Sequence, residues 1–390
     1  MKILILTSRF PYPLEKGDKL RVYHQIKGLA KEHEIILCSL SDKKVKQEYY
    51  DQLKPYCKSI HVFVLSKLGS YIRVLWWFLK GKCIQLAYFT NSRVKTQIEE
   101  VIFNEKPDHI YCQLVRMAEY VSDIFHIPKS IDYMDAFSKG MERQAADSPF
   151  PLSYVYGQEA KRLKEYESKV YYDFELRTII SEQDRSYIKN PFKENIEIIP
   201  NGVDINGFSY QKRTLKPVDL LFVGNMSYYP NVKAAEYLVD QIKPALAQKG
   251  YSLKIEIAGA NPAQQVLELN GENVKVSGWV DDIVETYHSA KVFVAPLFHG
   301  SGLQNKILEA MACGVPVITT TQTNNAIKAK PNSEILLADN AQEFAMAIIK
   351  LMGNSSEYSI LQKNARTFVE QNYSWNVFVS KLNNAIKQIE

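Results

Sequence analysis

Val292-Phe293-Val294-Ala295-Pro296-Leu297-Phe298-His299-Gly300-Ser301-Gly302-Leu303-Gln304-Asn305-Lys306-Ile307-Leu308-Glu309-Ala310-Met311-Ala312, followed by Gly314-Val315-Pro316-Val317-Ile318-Thr319, carries three structural signals in succession. A β-branched apolar run ends at Ala295, a loop of two glycines and a serine follows, and an amphipathic helix pattern starts near Leu303. A second apolar run lies at Val315–Thr319. Apolar runs without polar alternation suit strands buried on both faces of a parallel sheet. A glycine loop between such a strand and a helix leaves backbone N–H groups free of Cβ bulk, which makes a ready anion site. Lys306 on the first turn adds a full positive charge, and Glu309 one turn on can accept hydrogen bonds from the vicinal hydroxyls of a ribose. The same residues equally suit a loop that only turns a strand into a helix. A Walker loop is excluded because GxxxxGK[ST] is absent, and no GxGxxG follows the first strand.

The alternation extends outward in both directions. Ile3–Leu6, Glu34–Leu40, Ile60–Leu65, His109–Leu114, Ser130–Tyr133, Arg177–Ser181 and Ile196–Ile199 read as strands, with helical patterns at Lys19–Lys31, Val94–Phe103 and Gln158–Tyr171. After a polar, Lys-containing stretch at Ser209–Pro217 the pattern restarts at Asp219–Gly224 and continues with Lys254–Ala258, Val274–Ser277 and Val292–Ala295. Strand–helix alternation twice over predicts an α/β chain of two doubly wound domains. The expected division is 1–208, 209–372 and a C-terminal helix, 373–390, that belongs to either domain. In open parallel sheets ligands lie at the carboxyl ends of the strands, so two such domains facing across a cleft would line it with loops from both.

The 390 residues suit two domains, and 46% hydrophobic with 23% charged residues excludes disordered and collagen-like chains. Five widely spaced cysteines without a CxxC pair argue against a disulfide framework and a zinc site. The apolar run after Met1-Lys2 stops at Ser8-Arg9, too short for a secretory signal, and no run reaches the roughly 18 apolar residues of a membrane span. The chain therefore reads as cytoplasmic. Charge is uneven: residues 1–95 hold 18 Lys and Arg against 7 Asp and Glu, within a net charge of only +5. Nucleic acid is not implied by so modest a total, but an anionic partner or membrane surface at the N-terminal end is.

Gly302–Ala312 with Gly314–Ile318 resembles the donor-site helix of family 4 glycosyltransferases, which have the GT-B fold. Ile199-Pro200-Asn201-Gly202-Val203-Asp204 is similar to that family's interdomain signature, and Leu221-Phe222-Val223-Gly224 to the opening of its second domain. Arg9-Phe10-Pro11-Tyr12-Pro13, Lys16–Arg21, Gly224-Asn225-Met226 and Pro230-Asn231 resemble the sugar transferases of bacterial exopolysaccharide gene clusters. The resemblance implies a retaining hexosyltransferase whose C-terminal domain holds a nucleotide diphosphate sugar of UDP or GDP type. It implies no cofactor and no metal, and no Asp-x-Asp motif occurs. It assigns Glu309 to the ribose. The family's other Glu, eight positions earlier, is here Ser301, so Gly300-Ser301-Gly302 would contact sugar or phosphate mainly through backbone, and His299, Leu303 and Gln304 are expected beside them in the donor site. The family's Arg and Lys on the diphosphate are here Asn225 and Pro230, which makes Lys306 the expected counter-charge, with Lys233 a weaker option. Gly278-Trp279-Val280-Asp281 resembles the loop that reads the base, with Trp279 read as a packing residue before a stacking one. Gly259, after another strand, is expected to line the same pocket.

In the first domain, Gly17 follows the first strand, where a glycine lets backbone approach a phosphate or acceptor, beside the cations Lys16, Lys19 and Arg21. Asp132, Asp135 and Ser138 stand where many relatives have a histidine near the reacting sugar. Asp135 is the candidate for accepting the acceptor hydroxyl's proton, although a carboxylate there also suits a helix cap. No acidic residue occurs between Asp51 and Glu99, a span with eight Lys and Arg and the cluster Val74–Leu79. That composition predicts peripheral contact with an anionic inner leaflet and a glycan or lipid-linked acceptor, though Trp76 and Trp77 singly suit a core-facing helix side. Two other readings stand beside the transferase: a GT-B enzyme such as a nucleotide-sugar epimerase, and a non-catalytic nucleotide-sugar-binding protein.

Overall fold

The computed structural model describes residues 1–14, 16–211, 217–298 and 303–389, the Asp147 side chain excepted. They form two compact units, one of Met1–Gly202 with the stretch from Phe378 onward, the other of Val203–Val377. The first holds β1 (Lys2–Thr7), β2 (Glu34–Ser41), β3 (Ser59–Val64), β4 (His109–Gln113), β5 (Lys129–Asp132), β6 (Leu176–Ile179) and β7 (Glu197–Ile198). Their order is β3-β2-β1-β4-β5-β6-β7, with every pairing parallel. Ile3–Leu6 on β1 are wholly buried, as an apolar run without alternation requires of a central strand covered on both faces.

The second unit holds β8 (Val218–Val223), β9 (Ile255–Ala258), β10 (Val274–Gly278), β11 (Ala290–Ala295), β12 (Val317–Thr319) and β13 (Leu336–Leu337). The order β10-β9-β8-β11-β12-β13, again parallel throughout, matches the first sheet's pattern. Sequence reading misses β13, because two residues paired to Ile318 and Thr319 are too few to stand out as an apolar run. In each sheet the winding reverses beside the unit's first strand, between β1 and β4 and between β8 and β11. Ligands of such sheets enter at the carboxyl ends of those strand pairs.

The units divide after Gly202, six residues earlier than the expected 208. Backbone bonding explains the difference. Val203 N–H donates to the Tyr373 carbonyl at 2.7 Å, and Arg366 donates to the carbonyls of Ile205 (2.9 Å) and Phe208 (2.6 Å). The stretch expected to link the domains is thereby tied into the second. The C-terminal helix Trp375–Lys387 starts in the second unit and continues into the first. There Val379 packs so closely on Gly28 that a Cβ at Gly28 would come within 2.5 Å of it. His33 Nε2 meets Asn383 Oδ1 at 2.6 Å, and Lys387 pairs with Glu32 at 2.6 Å.

One buried pair ties four elements of the first unit together. Arg21, on the helix Gly17–Leu29, and Asp132, at the end of β5, are both wholly buried, with Nε to Oδ2 at 2.5 Å. Asp132 also accepts from Tyr111 Oη on β4 (3.0 Å) and Thr178 Oγ1 on β6 (3.1 Å). Arg21 Nη1 donates onward to the Pro200 carbonyl (3.2 Å) and Asn201 Oδ1 (3.0 Å). Burial pushes the Asp132 carboxyl up, but the Arg21 charge and the hydrogen bonds outweigh it and hold the group below its ordinary value. Asp132→Ala would leave a guanidinium buried without its counter-charge, a change that costs about 3–5 kcal/mol. Urea unfolding of the full chain is expected to show that loss; a loss below about 1 kcal/mol, the range of an exposed pair, contradicts this role.

Candidate active site

The carboxyl ends of β8 and β11 bring several of the expected donor-side residues together. Gly224 and Asn225 follow β8, and nine residues separate the end of β11 from the helix Asn305–Ala312. The loop between them includes His299, Gly300, Ser301 and Gly302, which lie outside the described residues. Gln304 occupies the N-cap without a side-chain cap bond, and its backbone carbonyl accepts from the Ile307 N–H at 3.0 Å, which leaves the Asn305 and Lys306 amides as the first-turn donors it does not engage. The helix start is two residues later than the expected Leu303, which instead packs half-buried against the core.

Lys306 stands on that first turn. Its Nζ donates to Asn231 Oδ1 at 2.6 Å and to Gln304 Oε1 at 3.3 Å, and lies 5.6 Å from the centroid of the Phe222 ring. Burial lowers its pKa to about 8, with the Glu309 charge opposing the shift. Both hydrogen-bond acceptors are neutral amides, so they orient the ammonium without cancelling its charge. Glu309, one turn on, accepts from the Tyr287 hydroxyl at 2.9 Å. Burial raises the Glu309 carboxyl above its ordinary value, while Tyr287 and Lys306 pull the other way.

Asn231 links the two loops. It comes from the helix Tyr229–Tyr237, which starts with Pro230 in its first turn, and its Nδ2 donates to the Asn225 carbonyl at 2.8 Å. Asn225 uses its own Oδ1 to accept from Ser227 N–H (3.1 Å) and Ser227 Oγ (2.9 Å). It therefore shapes the turn with its side chain. The weaker option, Lys233, is paired with Glu236 at 2.7 Å on its own helix.

Gly259 has a packing role, and Trp279 departs from expectation. At Gly259, φ is +140° and a Cβ would lie 1.7 Å from the Gly224 carbonyl oxygen, so glycine is required for β8 and β9 to end side by side. Its N–H donates to the Gly278 carbonyl at 2.7 Å and is thereby committed to the fold. Trp279 leaves 73% of its surface exposed, which overturns the packing reading; its Nε1 donates to Asp281 Oδ1 at 3.1 Å. Val280 packs half-buried against the core.

In the first unit the structure separates the expected acceptor-side residues. Arg21 and Asp132 are corrected to structural roles, since each is buried and fully engaged by the other and by neighbouring strands. Ser138 is corrected likewise: it is buried, and both its N–H (3.1 Å) and its Oγ (2.6 Å) donate to the Glu167 carboxylate. Asp135 differs from all three. It is half-buried, and among the described residues nothing donates a hydrogen bond to its carboxylate. Burial raises its pKa to about 6, reinforced by Asp184 and Asp132 and opposed by Arg21. Gly17 begins its helix in the open, where a Cβ would meet only Met134 Cε at 3.9 Å. Lys16 is exposed beside it, and Lys19 Nζ reaches the Tyr12 carbonyl at 3.4 Å. Sequence reasoning misses Tyr287 and Glu167, since a lone Tyr or Glu within a helix pattern announces no partner.

Residues 217–354 match the family model for glycosyl transferases group 1. A Klebsiella pneumoniae protein described as an uncharacterized 44.6 kDa protein in the cps region is 22% identical, over 95% of this chain and 96% of its own. The capsular polysaccharide biosynthesis glycosyltransferase CapM of Staphylococcus aureus is 27% identical, over 49% of this chain and 54% of its own. The fold matches sucrose-phosphate synthase from Thermosynechococcus elongatus at a TM-score of 0.64 and 15% identity, covering 100% of this chain and 99% of that one. It matches Anabaena HepE, solved in complex with UDP, at 0.62 and 17% identity, covering 100% of each.

Proposed function

We propose that this GT-B glycosyltransferase, with its group 1 domain at residues 217–354, moves a hexose-type residue from a UDP- or GDP-sugar to an acceptor hydroxyl with retained anomeric configuration. The observation that carries the donor assignment is the Lys306–Glu309 pair at the β8/β11 strand ends. A cation oriented by neutral amides suits a diphosphate, and a carboxylate one turn away suits a ribose. The UDP complex of HepE, a protein of the same fold, supports a UDP-sugar as the first donor to try.

The chemistry needs no enzyme nucleophile. As the bond from the anomeric carbon to the diphosphate breaks, negative charge grows on the leaving oxygens, and Lys306 with the first-turn amides stabilises it. The acceptor oxygen forms the new bond and its proton leaves to a base. Asp135 suits that role in the first unit, because its raised pKa of about 6 leaves it ionised at neutral pH yet able to take a proton. The departing diphosphate is the other proton acceptor. In the Asp135 route kcat/KM falls as pH drops through about 6, where the base is protonated. Asp135→Asn is expected to lower kcat/KM by roughly 10²–10⁴-fold and to abolish that acid limb. An unchanged limb in the variant assigns the proton to the leaving group. Product analysis with the same donors separates transfer from epimerisation or mere binding.

The acceptor side carries the membrane reading. On the helix Lys67–Leu79, Leu68, Tyr71, Ile72, Leu75, Trp76 and Leu79 share one face and are exposed, Leu79 to 74%. Trp77 on another side packs against Cys83, Leu86 and Leu163, so the core-facing alternative holds for Trp77 and fails for Trp76. Lys67 and Lys80 flank the stripe, and the Lys80 ammonium lies 3.7 Å from the centroid of the Trp76 ring. Arg73 instead donates inward to the Ala87 carbonyl (3.3 Å) and Ser70 Oγ (2.8 Å). An apolar face with a cationic border fits an anionic lipid surface, where a lipid-linked acceptor would reside. Flotation with phosphatidylglycerol-containing vesicles is expected to recover the protein, with loss on adding salt or on Leu75→Glu. Equal recovery with pure phosphatidylcholine, or no effect of Leu75→Glu, contradicts the contact.

A further inference from the structure

Arg116 belongs to neither the hydrogen-bond network around Asp132 nor the residues at the β8 and β11 strand ends. It lies in the 3₁₀ turn Val115–Tyr120 that follows β4, at the strand end where the first sheet reverses its winding. Its guanidinium carbon is 4.6 Å from the centroid of the Phe89 ring and 4.7 Å from that of Phe137. Its Nε is buried without a partner, and among the described residues no acceptor takes a hydrogen bond from any of its five N–H groups. The charges felt at Arg116 are those of Arg9, which has the same sign, and of Asp18. Asp18 is already paired with Arg9 at 2.8 Å.

Such an arrangement is costly in the free protein. A desolvated guanidinium normally has a carboxylate or carbonyl partner, as Arg21 does here with Asp132. The two phenyl rings favour a cation between them but accept no N–H···O bond, so they keep Arg116 in place with its donors unused. Arg9, after β1, supplies a second guanidinium at the neighbouring strand end. Two forked donors at one strand-end pair suit a tetrahedral oxyanion better than a neutral hydroxyl.

We propose that Arg116 and Arg9 bind a phosphate group carried by the acceptor, at the carboxyl ends of β4 and β1. This rests on the reading that the first unit takes the acceptor. Asp135 follows β5, the next strand over, so a bound phosphate would hold the rest of the acceptor on the side where the proposed base lies. The phosphate can belong to a lipid headgroup or to a soluble phosphorylated sugar, since both present the same oxyanion.

Calorimetric titration of the full chain tests this, with geranyl monophosphate and glucose 6-phosphate as the two probes and saturating UDP present. Wild type is expected to bind at least one probe, with Arg116→Gln and Arg9→Gln each weakening it roughly ten- to hundredfold and leaving UDP affinity unchanged. Tighter binding of geranyl monophosphate assigns the lipid source, and equal binding of the two assigns a soluble one. If Arg116→Gln does not fold, Arg116→Lys, which keeps the charge without the fork, is expected to weaken binding as well. The proposal is overturned if neither probe binds wild type, if binding survives both Arg116 variants, or if Arg116→Gln weakens UDP instead. Failure of UDP to bind wild type counts against the donor site and leaves the Arg116 result standing.

Discussion

The hydrogen-bond partners available to a desolvated cation decide what that cation can do, and three basic residues in this protein illustrate it. Arg21 faces a carboxylate and is neutralised, so it serves the fold. Lys306 faces two amide oxygens, which fix its position and leave its charge for an incoming anion. Arg116 faces two aromatic rings and no acceptor among the described residues. A sequence shows three basic side chains; the structure distinguishes them by what lies within hydrogen-bond reach.

Strand order puts those residues where they are. Both sheets wind outward from their first strand and reverse beside it, so the loops after β1 and β4, and after β8 and β11, are the ones able to meet a ligand. Gly224, Asn225, Asn231 and Lys306 are assembled at the second such point by close backbone approach, which Gly259 alone permits at its position. Asp135, Arg116 and Gly17 stand at the strand ends around the first. The proposed donor and acceptor residues thus stand at equivalent places of two sheets with the same winding.

Much of this is legible before any coordinates. The apolar runs without alternation identify the strands of both sheets except the two-residue β13, because burial on two faces leaves no polar position to vary. The Gly302–Ala312 motif places Lys306 and Glu309 on one helical turn and so anticipates their proximity. What escapes is side-chain pairing across long sequence distances. Nothing near Asp132 announces that Arg21 neutralises it, so both read as acceptor-side candidates until their burial is seen. Ser138 misleads for the same reason, with Glu167 as its hidden partner. Trp279 errs in the other direction: a tryptophan is usually packed, and this one stands in solvent on a loop. The exposed stripe from Leu68 to Leu79 is visible as composition, but only the helix shows that its apolar residues share a face.

The central claim is that Lys306 carries the charge that holds the donor's diphosphate. Titrating UDP into wild type and Lys306→Met across pH 7 to 9 tests it most directly. With its pKa lowered to about 8, Lys306 is charged below that value and loses its proton above it, so wild-type affinity should fall as pH rises through about 8. Lys306→Met should bind UDP roughly tenfold or more weakly at pH 7 and lack that transition. Wild-type affinity in the variant, with the same pH dependence, would contradict the account.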